Sequence, residues 1–170
     1  MHVERAKLED AHAISEIHVL TWRAVYEGIV PADYLATLSV EKRETLWRDS
    51  IAKGTPEIWV AKLEGRIIGW VASGPCRDKS ANPQVGEVWA IYVAPSHWSN
   101  GVGRALWLTA RKRLQQHGYK SVSLWVLAEN SRAIKFYLAA GFAPDFSSTK
   151  ELTLGGKTLK EVRYEVEIDG

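Results

Sequence analysis

The sequence has 170 residues, 46% hydrophobic and 25% charged, a balance that suits one globular domain with a buried core. Its 22 basic and 20 acidic side chains leave a net charge of +2, without the clustered basic excess that favours nucleic-acid or membrane-surface binding. The single cysteine, Cys76, excludes an intrachain disulfide and any Cys/His zinc spacing, so no metal site is expected and a reducing, cytoplasmic setting fits.

The charged start, Met1–Arg5, leads into no apolar run, so no signal peptide is expected. No stretch approaches the ~18 apolar residues of a membrane span. His2–Ala6 alternates weakly and reads as a short strand. Asp10 precedes a helical run through Tyr26, with Ile14, Ile17, Thr21 and Val25 on one face, and Gly28 stops it. Pro31 opens a short helical piece, Pro31–Leu38, and Val40–Ala52 reads as a third helix closing near Lys53-Gly54. A hairpin follows: Glu57–Leu63, a turn at Glu64-Gly65, then Arg66–Ser73, both arms rich in Val, Ile and Trp. Gly74-Pro75 through Asn82-Pro83 reads as a polar loop.

Gly86–Ala94 is the strongest strand, nearly continuous in apolar residues, so burial on both faces is expected; Pro95 ends it. The polar turn Ser96–Gly103 opens a helix running to His117, which Gly118 terminates. Ser121–Leu127 is a further strand, and Asn130–Ala140 a helix ended by Gly141. Two late strands, Ser147–Leu154 and Thr158–Ile168, are joined through Gly155-Gly156, a tight-hairpin signal. There is no repeat, linker or low-complexity tract, and the pattern predicts a single α/β domain over 1–170 with a mixed sheet. Eight tryptophans can pack a core or line an aromatic pocket, and both readings stand.

Chemistry concentrates first in Val93–Leu106, VAPSHWSNGVGRAL. Successive backbone N–H groups in a glycine-bearing turn point into one concavity, and the helix that begins there adds about half a positive charge. Together they suit a phosphate. The dinucleotide fingerprint is excluded because Leu106 stands where its third Gly or Ala belongs. No Gly-x-Ser-x-Gly elbow is present, and Cys76 has no adjacent His, so no covalent step is indicated.

The run Pro95-Ser96-His97-Trp98-Ser99-Asn100-Gly101-Val102-Gly103 resembles the acetyl-CoA signature of the GNAT acyltransferases, with Trp98 at the usual Arg or Gln position. A second block, Leu124–Phe142, looks like the family's strand–Asn–x–x–Ala–x–x–x–Tyr–x–x–x–Gly–Phe element through Asn130, Ala133, Tyr137, Gly141 and Phe142. The resemblance implies an α/β (α+β) fold, a mixed and mainly antiparallel sheet of about seven strands with helices on both faces. It implies an acetyl-CoA-dependent N-acetyltransferase acting by direct attack in a ternary complex. The backbone of Ile91, Tyr92 and Val93 would pair with the pantetheine arm. Trp98, Ser99, Asn100, Gly101, Val102, Gly103 and Arg104 would surround the pyrophosphate, with Asn130 on the pantetheine or phosphate region and Tyr137 beside the thioester sulfur. Asn130 could instead only cap its helix, and Tyr137 only pack.

A primary amine is mostly protonated at neutral pH, so a base must take its proton before attack. Glu87, at the start of the central strand, is the base candidate, acting through a water; His97 is a weaker one. By resemblance the acceptor meets Trp22, Tyr26, Glu27 and Tyr34, where aromatics and one carboxylate suit a cationic amine. Packing at i, i+4 spacing explains Trp22 and Tyr26 equally well. A small-molecule amine is the expected partner, without membrane or nucleic acid, and a homodimer is left open. The alternatives are a protein or aminoacyl-tRNA acceptor, for which Arg104, Arg111, Lys112 and Arg113 would form a basic face, or a non-catalytic acetyl-CoA-binding module.

Overall fold

A computed structural model describes residues 1–169. Strands β1 (His2–Arg5), β2 (Glu57–Leu63), β3 (Arg66–Pro75) and β4 (Val85–Val93) form an antiparallel meander. Beyond it lie β5 (Ser121–Leu127), β7 (Lys157–Glu167) and β6 (Ala143–Leu154), giving one seven-stranded sheet in the order β1-β2-β3-β4-β5-β7-β6. Only the β4–β5 pair is parallel; β5–β7 and β6–β7 are antiparallel. The sheet is therefore mixed and mainly antiparallel, as expected.

Helices cover both faces. On one, α1 (Ala11–Val25) and α3 (Val40–Lys53) bury Ile14, Ile17, Trp47 and Ile51 against Ile58, Val60, Trp70 and Ala72. Trp70 is fully buried and its indole N–H donates to the Ile14 carbonyl (3.0 Å), so the packed indole also satisfies its one donor. On the other face α4 (Val102–Gln116) buries Val102, Leu106, Ala110 and Leu114 against Val71, Val88, Val122 and Leu124, and α5 (Ser131–Ala139) adds Ile134 and Phe136. The helix punctuation follows its expected chemistry. The Ser39 hydroxyl caps α3 by accepting from the Lys42 N–H, and Gly54 ends that helix with a left-handed φ of 76°. The short α2 (Ala32–Ala36) follows Pro31.

Three expectations change. Strand β3 runs on through Gly74-Pro75, because these residues still pair with Glu87 and Gly86 of β4. Strand β6 starts at Ala143 rather than Ser147. Its first residues pair with β7 before the register shifts between Asp145 and Thr149, where the Asp145 carboxylate accepts from the Ser147 N–H at 3.0 Å. That bulge, with exposed Phe146, hid the strand's beginning behind turn-like residues. The third change matters most for function. Strand β4 is buried on both faces only over Gly86–Val88; Trp89 to Val93 are half-buried. Strand β5 pairs with β4 only from Val85 to Glu87, opposite Ser121 to Ser123. The β3–β4 register shift at Ala72/Ser73 places Trp89 as the extra residue of a bulge, which bends β4 at the point where the two strands part.

Candidate active site

A cleft of about 900 Å³ fills the space between the diverging ends of β4 and β5. The Ala94 N–H is taken by Ile68 O of β3 (2.8 Å), so strand alternation turns the N–H and C=O of Ile91 and Val93 toward the cleft. Both residues line it, giving a strand edge that no neighbouring strand occupies, with Val93 O taken by the Trp98 indole. Below that edge, Gly101 begins α4 with φ 79° and no side-chain cap. The first backbone bond of the helix is Ala105 N–H to Gly101 O, so the N–H groups of Val102, Gly103 and Arg104 have no intrahelical partner. These three residues face the cleft. Orphan amides at a positive helix end fit a diphosphate, and an open strand edge fits an extended amide-bearing arm.

The two glycines of the turn have different reasons. Gly101 needs its left-handed φ and a Cβ there would meet nothing within 4 Å, whereas a Cβ on Gly103 would lie 3.1 Å from the Phe136 ring. Gly103 therefore lets α5 approach α4. Trp98 does not replace the missing loop charge but organises it. Its indole N–H donates to Val93 O (2.8 Å), and the Arg132 guanidinium stacks on its ring at 4.0 Å while Arg132 Nη2 donates to Ser99 Oγ (3.4 Å). Arg104, Arg132 and Lys135 give the cleft lining its positive charge.

Tyr137 of α5 is half-buried and lines the cleft, edge-on to Phe136 and Phe142 at 5.5 and 5.7 Å. Burial, then the neighbouring Tyr92 phenol, raises its pKa, so it keeps its proton at neutral pH. Asn130 caps α5, its Oδ1 accepting from the Ala133 N–H (3.2 Å), and it also lines the cleft beside Tyr26. Burial raises the Tyr26 phenol as well, partly offset by a hydrogen bond with Asn130. Trp22 donates to the Tyr92 hydroxyl (2.9 Å), fixing α1 to β4 while both residues line the cleft.

Of the residues expected from the sequence, Ile91, Tyr92, Val93, Trp98, Ser99, Gly101, Val102, Gly103, Arg104, Asn130, Tyr137, Trp22 and Tyr26 are brought together here. Asn100, Glu27 and Tyr34 do not line the cleft. Glu27 is exposed, and Tyr34 packs on the β6–β7 turn, its Cβ 2.8 Å from where a Gly155 Cβ would be. Glu87 keeps its expected place at the start of β4 but does not reach the cleft. It is 1% exposed, outside the cleft lining, and Arg77 holds both its oxygens. Oε1 accepts from the Arg77 N–H (2.8 Å) and Nε (3.3 Å), and Oε2 from Nη2 (2.6 Å). This geometry fastens the loop after β3 to β4 and does not favour the base role expected of Glu87. Sequence reasoning missed Arg132, Lys135, Trp89, Trp125 and Glu161, which all line the cleft. Arg132 lies two residues past the helix-capping Asn130, the one signal that could have drawn attention to it.

Comparisons with known proteins agree with this fold. The sequence model of the Acetyltransferase (GNAT) family matches residues 14–142. The N-acetyltransferase YuaI of Bacillus subtilis is 36% identical over 161 residues, covering 94% of this chain and 89% of that one. The spermidine N(1)-acetyltransferase of Thermoplasma acidophilum is 23% identical over 171 residues, covering 97% and 98%. Among solved structures, the PaiA N-acetyltransferase of Thermoplasma acidophilum in complex with coenzyme A superposes with a TM-score of 0.78 at 21% identity, covering 98% of this chain and 99% of that one. Family match, relatives and sheet agree with one another, and the chain belongs to the GNAT family as an acetyl-CoA-dependent N-acetyltransferase.

Proposed function

We propose that this protein moves the acetyl group of acetyl-CoA onto the primary amine of a small molecule, by direct attack with both substrates bound. The observation that carries this reading is the polarity of the cleft. The same lining combines orphan amides and the side chains of Arg104, Arg132 and Lys135 with aromatic rings and one carboxylate. An anionic donor and a cationic acceptor would thus both find complementary groups in the cleft between the splayed strands. Acetyl-CoA supplies the activated acetyl thioester. The amides of Val102, Gly103 and Arg104 hold its diphosphate, the Ile91 and Val93 edge orients its arm, and Arg132, fixed on Trp98, supplies the charge that the loop lacks. Tyr137 Oη holds the proton that the leaving sulfur requires.

The relatives support a small acceptor: one is a spermidine acetyltransferase and others are mycothiol acetyltransferases. A basic face for tRNA gains no support, since Arg113 is held by Glu57 (Nε to Oε1 2.8 Å). Among the described residues no helix is long and apolar enough to cross a membrane. Calorimetry with acetyl-CoA, followed by thiol release on a panel of polyamines, arylalkylamines and amino acids, tests the reading. Micromolar acetyl-CoA binding and amine-dependent thiol release are expected. Absence of acetyl-CoA binding overturns it.

A further inference from the structure

The proposed reaction needs a group to receive an ammonium and take its proton, and Glu87, enclosed by Arg77, does not face the cleft. The cleft is lined by one carboxylate among the described residues, that of Glu161. Glu161 lies on β7, opposite Leu127 of β5 and Lys150 of β6. It shares the cleft lining with Trp22, Tyr26, Trp125 and Leu152, and its charge acts on the phenols of Tyr26 and Tyr92. Its neighbours Arg163 and Glu165 on the same strand face pair with one another (3.2 Å), and Lys150 and Arg163 both reach Asp78 (3.6 and 3.4 Å). Glu161 itself makes no hydrogen bond or ion pair with a side chain among the described residues. A half-buried carboxylate left without a partner, in a cleft walled by aromatic rings, is a place for a cation to bind.

We propose that Glu161 receives the acceptor's ammonium group and removes its proton. This rests on the acetyl-transfer reading above and deepens it, since it names the acceptor class as a primary ammonium carried on an apolar or aromatic body. In the step, the ammonium N–H bond breaks and an O–H bond forms on the Glu161 carboxylate. The nitrogen keeps the electron pair that makes the new C–N bond, and the proton passes from Glu161 to solvent at the open side of the cleft.

The surroundings agree with that task. Burial raises the Glu161 pKa; the positive charges of Lys150 and Arg77 work against this, and the negative charge of Glu87 adds to it. From the end of α1 and from β4, Tyr26 and Tyr92 face the same charge, and their own phenols are raised partly by it. A carboxylate pushed up from its ordinary range is a stronger base than a solvated one.

The test uses wild type and Glu161→Gln, which keeps the shape of the side chain and cannot hold the charge. Acetyl-CoA affinities within about twofold of each other establish that the variant is folded with its donor site intact. Failure of the wild type to bind acetyl-CoA overturns the acetyl-transfer reading, and this proposal with it. Three probes are then titrated into CoA-saturated protein at pH 7: 2-phenylethylammonium, spermidine and the neutral 2-phenylethanol. The variant is expected to bind the two cations at least about tenfold more weakly and the alcohol unchanged. Its thiol-release rate with an accepted amine should fall roughly 10²-fold, with the deficit shrinking as pH approaches the amine's own pKa. Equal cation affinity in the two proteins, or pH–rate profiles that run parallel within about twofold, overturns the proposal.

Discussion

Three side chains can be separated by single substitutions. Tyr137 reaches the cleft with a phenol that burial keeps protonated, so Tyr137→Phe removes a proton donor and little volume. Turnover should fall by roughly 10²–10⁴-fold while acetyl-CoA affinity, measured by calorimetry, stays within about twofold. An unchanged rate would leave Tyr137 as a packing residue. Arg132 holds its guanidinium on Trp98 and beside Ser99, at the edge of the orphan amides of α4. Arg132→Ala is expected to weaken acetyl-CoA about tenfold, with a shallower dependence of affinity on salt, because one charge facing the diphosphate is gone. Glu87 behaves oppositely. Glu87→Gln leaves an Arg77 guanidinium without its carboxylate, so denaturant unfolding should show a loss of about 1–3 kcal/mol while the pH–rate profile keeps its wild-type shape.

At the scale of elements, the start of α4 joins two requirements in three residues. Gly101 takes the left-handed conformation that turns the loop into the helix, and Gly103 leaves room for the Phe136 ring of α5. A Cβ at Gly101 would meet no atom within 4 Å, so the main cost of Gly101→Asp to folding is the strained φ, about 1 kcal/mol. Its carboxylate would nevertheless stand where a diphosphate must approach. Acetyl-CoA binding should be lost with the melting temperature nearly preserved, and retention of binding would move the donor site away from this loop. The parting of β4 from β5 is likewise an element-scale device. A bulge at Trp89 ends their pairing after Glu87, and one strand edge is thereby left for a ligand instead of a neighbouring strand.

For the molecule as a whole, one buried and one half-buried group shape its response to acid. His18 lies among Trp22, Trp47, Trp70 and Tyr92, and its Nδ1 accepts from the Trp47 indole N–H (3.1 Å). Burial, with a smaller contribution from Arg43, lowers its pKa to about 3. Below about pH 6.5 the unfolded chain binds a proton that the folded one refuses, so stability falls from there toward pH 3. Glu57 acts in a lower window. It joins β2 to α4 and β1 through Arg113 (2.8 Å), His117 (2.7 Å) and Arg5 (3.3 Å). Burial alone would raise its pKa, but Arg113, His117 and the Trp59 indole outweigh it and hold the carboxyl at about 2. Its contribution is complete above the unfolded pKa of about 4.3 and disappears as pH falls through 2. Chemical denaturation of His18→Asn, which keeps an acceptor for Trp47, should show a flatter loss between pH 6.5 and 3. Glu57→Gln should be destabilised at pH 7, and the gap to wild type should close only below pH 4. A wild-type slope in His18→Asn, or a pH-independent gap for Glu57→Gln, would refute the respective assignment.

The order of helices and strands was legible in the sequence because periodicity, caps and glycine stops act over a few neighbouring residues. The same locality made the proposed donor site legible: a strand, a glycine turn and a helix start are contiguous in Ile91–Arg104, and Asn130 and Tyr137 share one helix and its cap. The acceptor side follows a different logic. Glu87 stands at the right distance along β4, yet the loop after β3 folds back and Arg77 closes over it. Glu161 alternates with Val162 and Tyr164 like any solvent-facing residue of an edge hairpin. It is the register of β7 on β5, together with the divergence of β5 from β4, that brings its carboxylate to the cleft. Which carboxylate stays unpaired is decided by contacts between residues far apart in the chain, and only the tertiary structure fixes those.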